Sequence, residues 1–147
     1  MLKPIADVIV YNEFGTGTNR RFLKTIIRNV IFDDDQVGRI VNLGLQNNSR
    51  VAVYSLRGRT DLSDYVTPKI WATLTREEAN EKWTLQTNDR IIKLTPEWEN
   101  APMEFTSNIQ VDNYFNTPNN KASFTIIGVS MPDMDFDKIS HMEVLGN

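Results

Sequence analysis

Proton transfer and nucleophilic attack need particular side chains, and this sequence of 147 residues offers few of them. It contains one histidine, His141, and no cysteine. His141 stands in Ile-Ser-His-Met-Glu-Val, where alternation along a strand puts it on the face opposite Met142 and Val144. A catalytic histidine needs a nucleophile and an orienting acid beside it, and the sequence does not indicate which residues would fill those roles. We therefore expect His141 to pack or to hydrogen-bond within a strand.

Acidic runs are the second feature that could do chemistry, by holding a cation. Residues 133–137 alternate carboxylates as the start of a calcium loop does. A calcium loop continues with glycine at its sixth position and a bidentate acid at its twelfth, but Lys138 and Val144 stand there. We interpret this run, and the acidic run at residues 33–35, as hydrophilic turns, and we predict no metal site.

The sequence signatures of common enzymes are missing. No glycine-rich phosphate loop, no G-x-S-x-G turn and no H-E-x-x-H helix occurs in the sequence. The lack of cysteine also removes thiolate nucleophiles and cysteine-bound zinc or iron–sulfur sites. We therefore expect a protein that is not an enzyme and that needs no cofactor.

Composition indicates one folded domain, residues 1–147. Hydrophobic residues make up 40% and aromatic residues 10% of the chain, which is enough for a core without metal or disulfide support. The net charge of −3 gives no general attraction to nucleic acid or to anionic lipid. No run of eighteen apolar residues occurs, so we expect no membrane span and a location in the cytoplasm.

Short β-branched runs with period-two alternation indicate a mainly β fold. We predict strands at residues 5–11, 22–32, 50–56, 90–94, 122–131 and 139–145, an edge strand at 65–73, and a strand or irregular segment at 36–45. Asn29 marks a bulge or bend. The capping-box pattern of Thr75 and Glu78 predicts one short α-helix that leads towards Trp83. The expected fold is a small antiparallel β-barrel or β-sandwich with long loops.

Residues 95–120 are the least regular part of the sequence. Pro96, Pro102 and Pro118 interrupt a stretch rich in Asn and Thr, around a predicted strand at residues 105–111. We interpret residues 95–120 as a loop-rich excursion from the β domain. Trp98, which lies beside a proline in this excursion, is the best candidate for an interface anchor.

Three segments, taken in order, resemble a family of tailed-phage virion proteins. The first is the Gly-Leu, polar turn and strand of residues 44–54. The second is the W-x-L-x-x-x-D-x-I-x-K element of residues 83–93. The third is the pair of closing strands at residues 126–130 and 141–144. The family consists of minor structural proteins of the head-to-tail junction, called minor capsid, head-closure or head–tail connector proteins.

The resemblance implies a structural subunit that assembles as a ring around the DNA channel, in the neck of a virion made in the host cytoplasm. Its implied partners are copies of itself and the portal or adaptor and tail proteins, while DNA passes without sequence-specific binding and no membrane is involved. On this interpretation the excursion and the loop at residues 57–63 contact neighbouring subunits or layers. The candidate interface residues are Arg57, Arg59, Asp61, Trp98, Phe105, Tyr114 and Phe115.

Two alternative functions remain open. One is a structural component of a phage tail or baseplate. The other is a small β-sandwich module that binds a ligand or carbohydrate on Trp71, Trp83 and Trp98. For Trp71 and Trp83 we expect burial in the core instead.

Overall fold

The computed structural model describes residues 5–34, 51–56, 58–130, 134–135, 138–139 and 142–147. The strands in these ranges are β1 (Ile5–Phe14), β2 (Arg21–Asp33), β3 (Val51–Ser55), β4 (Arg90–Lys93), β5 (Glu104–Phe105), β6 (Ser123–Ser130), β7 (Met134–Asp135), β8 (Lys138–Ile139) and β9 (Glu143–Gly146). The α-helices are α1 (Pro68–Trp71), α2 (Arg76–Ala79) and α3 (Asn108–Phe115), and short 3-10 turns span Gly17–Asn19 and Pro96–Trp98. The prediction of a mainly β, antiparallel fold is confirmed.

Seven strands form one antiparallel sheet, and six of them close into a ring. The order of pairing is β1, β4, β6, β9, β3 and β2, and β2 pairs again with β1. We call this the six-strand ring. The two-residue β5 pairs with the start of β2, whereas β7 and β8 form a separate two-stranded sheet between β6 and β9 along the chain. Each strand of the ring therefore has a neighbour on both sides, so its backbone N–H and C=O groups are not open to pairing with another chain.

A bulge interrupts the long pairing of β1 with β2. The register shifts around Asp7, so that both Arg28 and Asn29 lie opposite it. Asn29 has a left-handed backbone with φ of 61°, a conformation that asparagine tolerates better than most residues. The Asp7 carboxylate accepts hydrogen bonds from the Asn29 amide and from the Arg28 guanidinium. The bend predicted at Asn29 is confirmed.

Two hydrophobic cores lie on opposite faces of β1. Val8 and Val10 face the inside of the six-strand ring, whereas Ile9 and Tyr11 face outward. The inner core takes a buried residue from every strand of the ring: Val8, Ile27, Val53, Ile91, Ile126 and Val144. The outer core is covered by residues 95–120, which contribute Ala101, Val111 and Phe115. Residues 95–120, with only short regular elements in them, therefore form a layer that packs on the outer core.

The helices correct two strand predictions. At residues 65–73 the structure has α1 instead of an edge strand, because the Thr67 side chain caps the helix and Pro68 occupies the first turn, where its missing N–H costs nothing. At residues 105–111 only Phe105 is in a strand. The Ser107 hydroxyl then accepts a hydrogen bond from a backbone N–H and begins α3. The described residues therefore contain three α-helices, where the sequence predicted one.

The capping box is confirmed, although the helix that it starts is shorter than expected. The Thr75 hydroxyl accepts from the Glu78 amide, and the Glu78 carboxylate accepts from the Thr75 amide at 2.8 Å. These hydrogen bonds to the charged form lower the pKa of Glu78. The helix α2 ends at Ala79, and Trp83 instead packs into the inner core.

The other strand predictions agree with the structure to within three residues at each end. Predicted strands 5–11, 22–32, 50–56, 90–94 and 122–131 correspond to β1, β2, β3, β4 and β6. The final predicted strand, 139–145, is divided between β8 and β9. The segment at residues 36–45 lies outside the described residues.

Gly146 offers a test of how tightly the six-strand ring is packed. A Cβ added there would lie 2.7 Å from Val51 Cγ2 and 3.1 Å from Phe124 Cβ. We expect Gly146→Ala to lower the free energy of unfolding by about 1–3 kcal/mol, because neighbouring strands must shift. The measurement is urea denaturation followed by tryptophan fluorescence.

Gly128→Ala is the matched control, since its added Cβ would meet only Leu145 side-chain atoms at 3.9 and 4.0 Å. It should change the free energy of unfolding by less than about 0.5 kcal/mol. Equal effects of the two substitutions would contradict the packing argument.

Candidate functional site

Four of the seven candidate interface residues meet in one place. Trp98, Phe105, Tyr114 and Phe115 pack against one another, and the rings of Phe105 and Phe115 also contact Tyr11. We call these five residues the aromatic cluster. Their rings meet at an angle: the centroids of Trp98 and Phe115 are 4.9 Å apart and those of Tyr11 and Phe105 are 5.1 Å apart. The Tyr11 hydroxyl donates to the Pro102 carbonyl oxygen at 2.8 Å, and burial raises the pKa of Tyr11.

Three large apolar side chains of residues 95–120 are exposed. Phe115 is fully buried, so it holds the layer in place and presents no surface to a neighbour. Tyr114 exposes 43% of its surface, while Met103 and Ile109, which the sequence analysis did not select, expose 70% and 71%. We call Met103, Ile109 and Tyr114 the excursion surface. Helical spacing could have identified Ile109, because Val111 and Phe115, four residues apart, form the buried face of α3.

A polar network fixes α3 to the six-strand ring. The Arg90 guanidinium donates two hydrogen bonds to the Asp112 carboxylate, at 2.9 and 3.1 Å. The Ser123 hydroxyl donates to the same carboxylate at 2.7 Å, and the Asn116 side chain donates to Ser123. Burial disfavours the charged form of Asp112, but the hydrogen bonds from Arg90 and Ser123 and the charge of Arg90 outweigh it, so its pKa is lowered. The layer under the excursion surface is therefore held by charge as well as by packing.

The other three candidates belong to the loop at residues 57–63. Arg59 and Asp61 are exposed, whereas Arg57 lies outside the described residues. The Asn29 side chain donates to the Arg59 carbonyl oxygen at 3.4 Å, so the loop is attached to the bulge of β2. Hydrogen bonds from the Ser63 side chain and from the Ser63 amide to the Asp61 carboxylate lower the pKa of Asp61. The described part of this loop is thus hydrogen-bonded to the bulge of β2.

A second candidate site is a cleft of about 520 Å³ beside the turn between β1 and β2. Its walls include Phe14, Trp71 and Leu74, and its polar lining includes Glu13, Gln86 and Asp89. We call it the turn cleft. Of its two acidic lining residues, Glu13 is paired with Arg20 at 2.9 Å and Asp89 is buried. The sequence analysis missed this site, because its parts come from three separated segments of the chain.

Asp89 forms the centre of a buried hydrogen-bond network at the base of the turn cleft. Its carboxylate accepts from Asn12 Nδ2 at 2.9 Å, from the Glu13 amide at 3.1 Å and from Gln86 Nε2 at 3.1 Å. The Asn12 side chain also donates a hydrogen bond to the Thr84 carbonyl oxygen and accepts one from the Thr84 amide. Burial raises the pKa of Asp89 to about 6, and the hydrogen bonds, which act in the opposite direction, do not compensate.

Two of the three tryptophans are buried, as the sequence analysis expected. Trp71 and Trp83 are buried, with 2% and 4% exposure, so neither is an open platform for a sugar. The Trp71 indole N–H donates to the Glu13 carbonyl oxygen at 2.8 Å and thereby fixes one wall of the turn cleft. Trp98 is half-buried in the aromatic cluster.

Only some of the residues that were considered first for chemistry lie within the described ranges. His141 and Asp133 lie outside the described residues, while Asp135 belongs to β7, which pairs with β8. Within the described ranges, no three His, Asp or Glu side chains converge in a group that could hold a metal. In the same ranges, no helix has the length and apolar character needed to cross a bilayer.

The aromatic cluster generates a stability prediction. Phe115→Ala should lower the free energy of unfolding by about 3–5 kcal/mol, because it leaves a cavity between α3 and β1. Ile109→Ala, on the exposed side of the same helix, should change it by less than about 0.5 kcal/mol. Thermal and urea unfolding of both variants tests this; a small effect of Phe115→Ala would mean that residues 95–120 are not a packed layer.

Asp89 generates a pH prediction. The pKa of Asp89 in the folded state, about 6, lies above its ordinary value of 3.8. At a pH between these two values, the folded state therefore binds a proton that the unfolded state has already lost. The resulting stabilisation is complete below about pH 4 and is lost as the pH rises through 6, by up to about 3 kcal/mol. Urea denaturation from pH 4 to pH 7 measures it.

Asp89→Asn should remove this part of the pH dependence, whereas Glu97→Gln, at an exposed carboxyl, should leave it unchanged. The difference between the free energies of unfolding of the wild type and of a variant, at each pH, excludes the contribution of the other carboxyl groups. Parallel stability curves for the wild type and Asp89→Asn would show that Asp89 is not the titrating group.

Comparison with known proteins identifies one family. The model of a family of unknown function, DUF6751, matches residues 3–147. No curated protein and no solved structure matches the chain significantly. Since the match includes both cores and both candidate sites described above, the chain belongs to the DUF6751 family along almost its whole length.

Proposed function

We propose that this protein is a structural subunit of a tailed-phage virion that assembles as a ring at the head–tail junction. One observation carries the proposal: the three segments that resemble head–tail junction proteins contribute β3, β4, β6 and β9, which are consecutive neighbours in the order β4, β6, β9, β3. The resemblance therefore falls on one continuous wall of the six-strand ring.

The residues of the W-x-L-x-x-x-D-x-I-x-K element support a structural role for that wall. Trp83, Leu85 and Ile91 are buried in the inner core. The backbone of Asp89 accepts from the Ile126 amide at 2.9 Å, and the Asn88 amide donates to the Ile126 carbonyl at 2.8 Å. Asn88 has a left-handed backbone, with φ of 76°, which makes this turn tight. The element thus builds the junction of β4 with β6 and needs no reactive group.

The excursion surface supports assembly. Met103, Ile109 and Tyr114 are large apolar side chains exposed on a layer that Phe115 and Asp112 hold rigidly against the six-strand ring. Interfaces between subunits favour aromatic and Met side chains presented from a preorganised support, because little conformational entropy is lost on binding. In this proposal the partners are further copies of the chain and the adjoining portal, adaptor or tail proteins. A net charge of −3 lets DNA pass without adhering.

Ring assembly tests the role of the excursion surface. Under this proposal the unmodified chain should form rings in native mass spectrometry and negative-stain electron microscopy. The same measurements should show no rings for the triple variant Met103→Ser, Ile109→Ser, Tyr114→Ser. The matched control, Ile5→Ser, Ile70→Ser, Ile127→Ser, removes three exposed apolar side chains elsewhere, with exposures of 52%, 49% and 40%. Both variants should keep a cooperative unfolding transition. Loss of rings in both variants alike would reject a specific interface.

Location in the virion tests the proposed function itself. Gold-labelled antibody against this chain, applied to virions that contain it, should mark the neck between head and tail in electron micrographs. Label at the distal end of the tail would favour the alternative of a tail or baseplate component. Virions without label would reject a structural role in the particle.

A further inference from the structure

The hydrogen-bond donors around the Asp89 carboxylate suit its ionised form. Asp89 is 1% exposed, and within the described residues its carboxylate accepts N–H groups from Asn12, Glu13 and Gln86. Each of these groups presents a hydrogen to the carboxylate, so none of them can accept a proton from it as they stand. A protonated Asp89 would therefore be buried without a partner for its O–H group unless one of the three donors changed.

The charges near Asp89 nevertheless favour protonation. Burial and, to a smaller extent, the negative charge of Glu13 on β1 raise the pKa of Asp89 to about 6. The neighbouring guanidinium groups pair elsewhere, Arg20 with Glu13 and Arg90 of β4 with Asp112. Among the described residues, the hydrogen bonds of Asp89 with β6 and with the turn before β4 come from uncharged groups. Asp89 thus gains a proton near pH 6 in a site arranged for its anion.

Two of the three donors cannot adapt to that proton. The Asn12 side chain accepts from the Thr84 amide at 3.1 Å and donates to the Thr84 carbonyl oxygen at 2.7 Å. A half-turn of the Asn12 amide would break both bonds and would place like groups against each other. The third contact of the carboxylate, the backbone N–H of Glu13, can only donate.

Gln86 is the donor that can adapt. Its Nε2 lies between two acceptors, Asp89 Oδ2 at 3.1 Å and the Glu13 carbonyl oxygen at 3.3 Å, whereas no described residue bonds to its Oε1. The side chain is half-buried and lines the turn cleft, so its amide has space to rotate. After a half-turn, Oε1 accepts the proton of Asp89 and Nε2 leaves both of its acceptors.

Trp71 would sense this rotation. Its indole N–H donates at 2.8 Å to the Glu13 carbonyl oxygen, the same atom that accepts from Gln86. When Gln86 turns away, the indole becomes the only side-chain donor to that oxygen among the described residues. The rotation would therefore reach the wall of the turn cleft that belongs to α1.

We propose that protonation of Asp89 turns the Gln86 amide round, so that Gln86 offers the turn cleft an acceptor oxygen at neutral pH and N–H donors in acid. This switch lies within a single chain, so it goes beyond the proposed function and does not depend on it. It gives the cleft a hydrogen-bonding character that is controlled by pH.

NMR spectra of the ¹³C,¹⁵N-labelled chain from about pH 4 to about pH 8 test the switch. The Asp89 carboxyl carbon, the Gln86 side-chain NH₂ group and the Trp71 indole should shift in one step with a common midpoint near pH 6. The NH₂ groups of Gln86 and Asn12 both donate to Asp89 Oδ2 at neutral pH. The nuclear Overhauser contact between them should therefore weaken in acid with the same midpoint.

Substitutions identify the titrating group. Asp89→Asn should remove the step at Gln86 and Trp71, although His141, which also titrates near this range, is still present. Glu13→Gln should keep the step and move its midpoint to lower pH, because a like charge is removed. The dispersion of the spectra shows that each variant is folded.

A second pair of substitutions tests the role of Gln86. Gln86→Ala should leave Asp89 titrating but remove most of the step at Trp71. The matched control is Gln110→Ala, at an exposed glutamine of α3, and it should leave the steps at Asp89, Gln86 and Trp71 unchanged.

Four results would overturn the proposal. The first is no shift of Gln86 and Trp71 over this pH range, and the second is a step that persists in Asp89→Asn. The third is loss of the step in Glu13→Gln, which would make Glu13 the sensor. The fourth is a contact between the two NH₂ groups that does not change with pH, because Asp89 would then titrate without moving Gln86.

Discussion

The fold depends on the burial of β1 on both of its faces. Val8 and Val10 belong to the inner core, while Ile9 and Tyr11 belong to the outer core, so β1 is packed on both faces. Strand β4 is shared in the same way, through Ile91 and Ile92. Strand β1 continues into Asn12 and Glu13, whose polar groups organise the turn cleft. Both candidate sites are therefore positioned by β1, and a shift of its register by one residue would exchange the two cores and displace both sites.

The two candidate sites differ in how the protein makes them specific. The excursion surface is apolar and rests on aromatic packing supplemented by the pair of Arg90 with Asp112. The turn cleft is polar at its base and rests on the hydrogen-bond network of the buried Asp89 carboxylate. An apolar surface contributes area to an interface, whereas a desolvated charge discriminates between partners. A subunit that contacts more than one neighbour would use both kinds of surface.

Much of the β framework could be predicted from the sequence, because β3, β4 and β6 show short β-prone runs with turn signals at their ends. The helices α1 and α3 were missed where β-branched and aromatic composition was weighed above the capping signals of Thr67 and Ser107. The continuous apolar run from Val8 to Tyr11 is typical of a strand that is buried on both faces, but the sequence analysis did not infer this and could not show what covers the second face. Asp89 could not be selected, because its partners Asn12 and Glu13 are more than seventy residues away in the chain.

The position of β9 in the six-strand ring determines when the chain can fold during synthesis. Strand β9 lies between β3 and β6 and pairs with both, yet it is the last strand along the chain. While the ribosome still holds residues Glu143–Gly146, β3 and β6 each present an unpaired edge. Closure must therefore follow the synthesis of residues Glu143–Gly146, and until then the open edges of β3 and β6 can pair with strands of other chains.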